Sequence, residues 1–193
     1  MTNDLPIASG DGLPALGPSP LIAGENAAAY DDLVARVRGA LQPRDILEDI
    51  WVRDVVDLAW EVLRLRRLKA QLMRVAARDG MSDVLGDLPI DDPCEVADQW
   101  HAGDAAAAAA VDQALAAAGL TIDAVMAQTL TERIDDIERI ERMMTAAEAR
   151  RDTTLRELDR RRAGLAVNLR RAIREAEAAE FKLIASSQPE AAA

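Results

Sequence analysis

Catalysis or metal binding needs nucleophiles, bases or ligands at compatible spacings, and this 193-residue chain holds one cysteine and one histidine. Cys94 and His101 are seven residues apart, roughly the same side of a helix if residues 93–101 are helical, the least that a thiol activated by a base would require. The simpler reading is an ordinary thiol and a helix-end histidine. A lone cysteine forms no disulfide and no multi-cysteine zinc site within one chain. The acids Asp87, Asp91, Asp92 and Glu95 invite a divalent ion, but they lack the calcium-loop spacing with its central glycine and twelfth-position glutamate, so they read as turn and cap residues. A di-iron bundle site needs two Glu-x-x-His pairs and is excluded by the single histidine. Phosphate loops, serine or cysteine triads and a helical His-Glu-x-x-His are missing, and Gly10 and Gly12 have no strand before them. The expectation is a non-enzymatic protein with no cofactor and no metal.

Arginine is the other chemistry-bearing residue. Residues 1–130 hold 10 basic and 21 acidic groups and carry the whole net charge of −11, whereas residues 131–193 hold 13 of each. Nine arginines stand against four acids within 148–174. Guanidinium forks suit phosphate oxygens, so Arg160, Arg161, Arg162, Arg170, Arg171 and Arg174 are candidate phosphate contacts in a nucleic-acid-associated factor using segment 150–174. Against this, the triplet Arg160-Arg161-Arg162 fans out by about 100° per residue, no aromatic is interleaved for base stacking, and no helix-turn-helix spacing is present. Salt bridges along a helix are the favoured reading, and nucleic acid is the alternative.

The elements that would hold these residues are helical. Half of the residues are apolar but only 3% are aromatic, and alanine, which buries little surface, fills much of the apolar half. That composition fits long thin helices better than a thick core. Residues 1–24, with four prolines and four glycines and no apolar periodicity, read as a disordered leader, and 186–193 as a disordered tail. Tyr30, Leu33, Val34, Val37 and Leu41 form one stripe of a helix over 27–41, with Asn26 as its N-cap. Pro43 and Gly80 bracket a helix of 43–79. Trp51 and Trp60 lie about 180° apart on it, so its middle must bury two sides, with helix 27–41 on the Trp60 side and a second long helix on the Trp51 side. Residues 80–92 read as a loop, 93–101 as a short helix, and the alanine run of 105–110 opens a connector helix to 118. These elements make up a helical region of 25–118.

From 119 to 185 the chain reads as one very long coiled-coil helix. Leu130, Ile134, Ile137, Glu141, Met144, Glu148, Arg151, Leu155, Leu158, Arg162, Leu165, Leu169, Ala172, Ala176, Ala179 and Leu183 alternate steps of four and three, the heptad pattern. Its charged seam positions can set register if opposite charges meet them. The fold expected is all-α: an antiparallel long-helix hairpin or coiled coil with short accessory helices. About 25 residues of the last helix outrun any internal partner, so Leu155, Leu158, Leu165, Leu169 and Leu183 are the candidate contacts with a second copy or with another helical protein.

GENAAAYDDLVARV, DILEDIWVRDVVDLAWEVLRLRRLKA and AGLTIDAVMAQTL, with IERIERM and AEARRD, resemble segments of small helical proteins of alphaproteobacteria, over most of residues 24–182. That family carries no assigned activity, so the resemblance transfers no functional residue. It implies a bacterial cytoplasmic protein, and 21 arginines against two lysines agree with a GC-rich source. The longest unbroken apolar run, Ala105–Val111, is far short of a membrane span, and the first twenty residues lack the pattern of a secretory signal, so neither membrane nor export is expected.

Overall fold

The computed structural model describes residues 17–186, with side chains to residue 178. The described residues are helical throughout apart from short connections: α1 (Ala27–Leu41), α2 (Ile46–Gly86), α3 (Pro93–His101), α4 (Ala105–Ala117), α5 (Ile122–Glu132) and α6 (Ile134–Ser186), with no strand among them. The protein is all-α. Most of the leader expected at 1–24, and all but the first residue of the tail expected at 186–193, lie outside the described residues. Residues 17–26 carry no helix, and Arg53 Nη2 donates to Pro18 O at 3.2 Å.

The chain divides into two compact units, one of Met1–Asp57 with Asp152–Ala193 and one of Leu58–Arg151, so α2 and α6 each contribute to both. In the first unit, Asn26 Oδ1 accepts the Ala29 amide and starts α1. Tyr30 is buried, its hydroxyl donates to the Asp57 carboxylate, and Arg53 lies 5.4 Å from the centre of its ring. Asp45, rather than Pro43, begins α2. Its Oδ1 accepts the Glu48 amide at 3.0 Å while Glu48 Oε2 accepts the Arg44 amide at 3.0 Å, a reciprocal pair close to a capping box.

In the second unit the C-terminal end of α2 is enclosed by the short helices. Met81, Leu85, Ala97, Val111, Leu115 and Val125 form a fully buried cluster, with Val84, Leu88, Ile90, Val96 and Trp100 packed around it. A smaller cluster joins Leu58 and Val62 of α2 to Ala147 of α6. Arg66 pairs with Glu148 at 3.0 Å and Lys69 pairs with Glu141, so rising numbers on α2 meet falling numbers on α6 and the two run antiparallel within this unit. These pairs are exposed and each contributes under about 1 kcal/mol; they mark register more than they stabilise.

Three boundaries differ from the expected ones. Helix 43–79 is in fact Ile46–Gly86, passing through Gly80 instead of stopping there, because Met81 and Leu85 extend the buried stripe by a further turn and more. The loop shrinks accordingly from 80–92 to 87–92. The helix expected to run unbroken to 185 is divided at Arg133, which has φ −107° and ψ 15°. No proline or glycine marks that break. Thr129 Oγ1 donates to Val125 O and Thr131 Oγ1 to Ala127 O, and such bonding back to the preceding turn bends helices. Arg133 then donates to Asp79 Oδ2 at 3.0 Å, tying the break to α2. Beyond it α6 is continuous for 53 residues, through Gly164.

Candidate functional site

The residues that could do chemistry are not brought together. Cys94 is exposed on α3, and its sulfur lies 3.1 Å from Ser82 Oγ rather than against His101. Asp92 caps α3 by accepting the Glu95 amide, and Glu95 accepts from Gln99 one turn on, so two of the loop acids are occupied in local structure. No grouping of three metal-ligating side chains occurs among the described residues. A shallow cavity of about 510 Å³ between the 87–92 loop and α4 is lined by Leu88, Pro89, Ile90, Val96, Ala110 and Ala114, and it presents little beyond Asp91 and Gln113 to orient a ligand.

The informative site is the stretch of α6 that contains the arginine triplet, which the first unit sorts by direction. Arg162 turns inward. Its Nη2 donates to Glu48 Oε2 at 2.8 Å and to Leu41 O at 2.6 Å, and its Nε to Glu48 Oε1 at 3.3 Å. One guanidinium thereby holds the C-terminal carbonyl of α1 and the first turn of α2, and Glu48 is 0% exposed. Arg161 donates to Asp45 Oδ2 at 2.8 Å and lies 5.9 Å from the centre of the Trp51 ring, so α6 covers the Trp51 side of α2. Arg160 points outward and, among the described residues, pairs with Glu157 on its own helix.

The electrostatics follow this arrangement. The Arg162 guanidinium, with the Arg44 amide, holds the Glu48 carboxyl below its ordinary range against the opposing effect of burial. The Glu48 amide and then Arg161 lower Asp45 in the same direction. In the second unit Arg78 lowers Asp98. Glu132 is raised, first by burial and then by its hydrogen bond with Asp83.

This geometry corrects two sets of candidate residues. Arg161 and Arg162, considered above as phosphate contacts, are spent on Asp45, Glu48 and Leu41 O and are not available to an external anion. Among the proposed interaction leucines, Leu158 is 1% exposed and Leu155 partly buried, because the seam is still covered within the first unit at that point. Past Arg162 the cover ends: Leu165 is 48% exposed, Leu169 63% and Ile173 48%. The side chain of Leu183 lies outside the described residues. Arg170, Arg171 and Arg174 are exposed.

Glu48, Asp45 and Gly80 were missed as positioning residues. The spacing Asp45-x-x-Glu48 was a visible capping signal, and Arg162 on the heptad seam was a visible request for a buried carboxylate; joining them requires knowing which turns of α2 and α6 meet. Two further charged seam positions also meet opposite charges, Glu141 meeting Lys69 and Glu148 meeting Arg66.

Comparison with protein-family models, curated proteins and solved structures gives no match to this chain. Among the described residues no single helix is long and apolar enough to cross a membrane.

Proposed function

We propose that the protein is a non-enzymatic scaffold or adaptor of the cytoplasm that joins helices in coiled-coil fashion through α6 past Arg162, in the first instance with a second copy of itself. One observation carries this reading. The stripe that is buried at Leu158 and anchored at Arg162 continues on the same side of α6 into Leu165, Leu169 and Ile173, which are about half exposed or more. A stripe left in water is an offer of association.

The magnitude sets the conditions of the test. Covering a half-exposed Leu or Ile contributes about 1 kcal/mol, so six such side chains from two copies supply about 6 kcal/mol, which corresponds to a dissociation constant of tens of micromolar at best. Light scattering on the full chain is expected to show a mass rising above 20.8 kDa toward twice that value as concentration increases through this range. Leu169→Glu, a change at an exposed position that leaves the fold intact, is expected to hold the mass at the monomer value. A mass of one chain at every concentration removes self-association.

A further inference from the structure

The same part of α6 has a second face. At about 100° per residue, Arg156, Arg160, Arg170, Arg171 and Arg174 project within an arc of about 100°, and no acid between 156 and 174 falls inside it. All five are exposed. Arg156 and Arg171 are steadied by hydrogen bonds within the helix, to Thr153 Oγ1 at 3.0 Å and to Asn168 Oδ1 at 3.3 Å. Arg170 and Arg174 flank Val167 and Ile173 around an open concavity. Arg161 and Arg162 are not part of this face, since they turn inward to Asp45 and Glu48.

Arg160 is paired with Glu157, but with Arg156, Arg170, Arg171 and Arg174 on the same side the arc keeps a net positive charge on a solvated helix, and such a face suits a polyanion. Its spacing says which kind. Arg156 and Arg160 form one group and Arg170, Arg171 and Arg174 another, and the ten residues from Arg160 to Arg170 rise about 15 Å. Within this arc only Ala163 and Val167 lie between the groups, and neither side chain is long enough to hold a partner away. The major groove of a B-form duplex is about 12 Å wide, so the two groups stand at the separation of the phosphate rims on either side of it. Guanidinium forks match phosphate oxygens, and the lack of any aromatic between 156 and 174 disfavours a single strand, whose bases would need stacking partners. A helix that lies on a lipid surface sets its cations along the edges of its apolar arc; here the arginine arc is centred nearly opposite Leu165 and Leu169, and Arg170 comes nearest the apolar side, beside Ile173.

We propose that this face binds the sugar-phosphate backbone of a nucleic-acid duplex without reading its sequence. The observation is independent of the apolar arc, so either proposal stands if the other fails. With a net charge of −11 the whole chain does not steer toward DNA from a distance; the contact is short-ranged and strongly dependent on salt.

The test is fluorescence anisotropy of a labelled 25-base-pair duplex titrated with the full chain at several salt concentrations. Five contacted phosphates give a slope of about −4.5 for log affinity against log salt. The triple change Arg170→Gln, Arg171→Gln and Arg174→Gln is expected to reduce that slope by about 3 and weaken binding at low salt at least tenfold, with helix content by circular dichroism unchanged. The control Arg66→Gln, on α2, is expected to leave both unaltered. No binding at about 50 mM salt overturns the proposal, as does binding that the triple change leaves intact. Vesicles of anionic phospholipid that bind the chain while the duplex does not overturn it in favour of a membrane, and polyglutamate that displaces the duplex at equal charge concentration overturns it in favour of an acidic protein.

Discussion

Gly80→Ala is expected to destabilise the second unit by about 3 kcal/mol, the reverse of what alanine does elsewhere in a helix. Within a solvated helix the same change gains up to about 1 kcal/mol, because alanine loses less backbone freedom on folding. At Gly80 a Cβ would stand 2.2 Å from Thr129 Oγ1, 2.9 Å from Thr129 N and 3.0 Å from Val125 O, so α5 crosses α2 on the bare backbone of this residue. The atoms in the way cannot swing aside. Two are backbone, and the hydroxyl is held by its bond to Val125 O on a fully buried Thr129. α5 would have to lift from α2, loosening the cluster around Met81, Leu85 and Val125, and overpacking of that kind costs about 1–3 kcal/mol or somewhat more. Gly164→Ala supplies the contrast, since nothing lies within 4 Å of a Cβ there and a gain of up to about 1 kcal/mol is expected. Urea midpoints of the two variants should therefore move in opposite directions. Thr129→Ala added to Gly80→Ala should recover only part of the loss, because two of the three close atoms remain. A Gly80→Ala protein as stable as the parent would mean that α5 does not cross at this point.

That position also shows where the sequence stops being legible. Periodicity and caps located α1, α3 and α4 because their signals are local: Asn26, Asp92 and Asp104 each accept an amide three residues ahead, and the apolar spacing lies in the same stretch. Gly80 gives the same local signal whether it ends a helix or admits another helix against it, and only the partner decides between them. The break at Arg133 escaped for the opposite reason: the bending comes from Thr129 and Thr131 hydroxyls, residues that ordinarily pass within a helix without effect. The candidate site was legible in part. The heptads marked the exposed Leu165 and Leu169, but periodicity does not say how far along α6 the internal cover extends, so Leu158 was assigned to the wrong side of that limit. The arginine cluster was visible as composition; its division into inward Arg161 and Arg162 and outward Arg160 required Asp45 and Glu48, more than a hundred residues away in the chain.

Arg162→Ala is expected to cost more than Glu48→Gln, and by an amount that depends on pH. Removing the guanidinium leaves a fully buried carboxylate held by the backbone amide of Arg44, beside the like charge of Asp45, and releases Leu41 O; uncompensated burial of this kind costs about 3–5 kcal/mol. Glu48→Gln keeps the shape and one acceptor for Arg162, and about 1–2 kcal/mol is expected. The double change Arg162→Met with Glu48→Leu should recover much of the loss, since an apolar pair of similar volume removes both desolvation penalties together. The pH dependence follows from the Glu48 carboxyl, which Arg162 depresses in the folded protein. A depressed carboxyl stabilises fully above its unfolded value near 4.3, and the contribution disappears as pH falls through the lower folded value. Without Arg162 the buried carboxyl favours its neutral form, so the variant is relieved, not harmed, by protonation. The gap in urea midpoint between the parent and Arg162→Ala should thus be widest near pH 7 and close progressively toward pH 4. A gap that stays constant over this range would show that Glu48 is not the group Arg162 serves. No gap at pH 7 would show that the fork does not hold α6 to the first turn of α2, and the exposed stripe beyond it would lose its anchor.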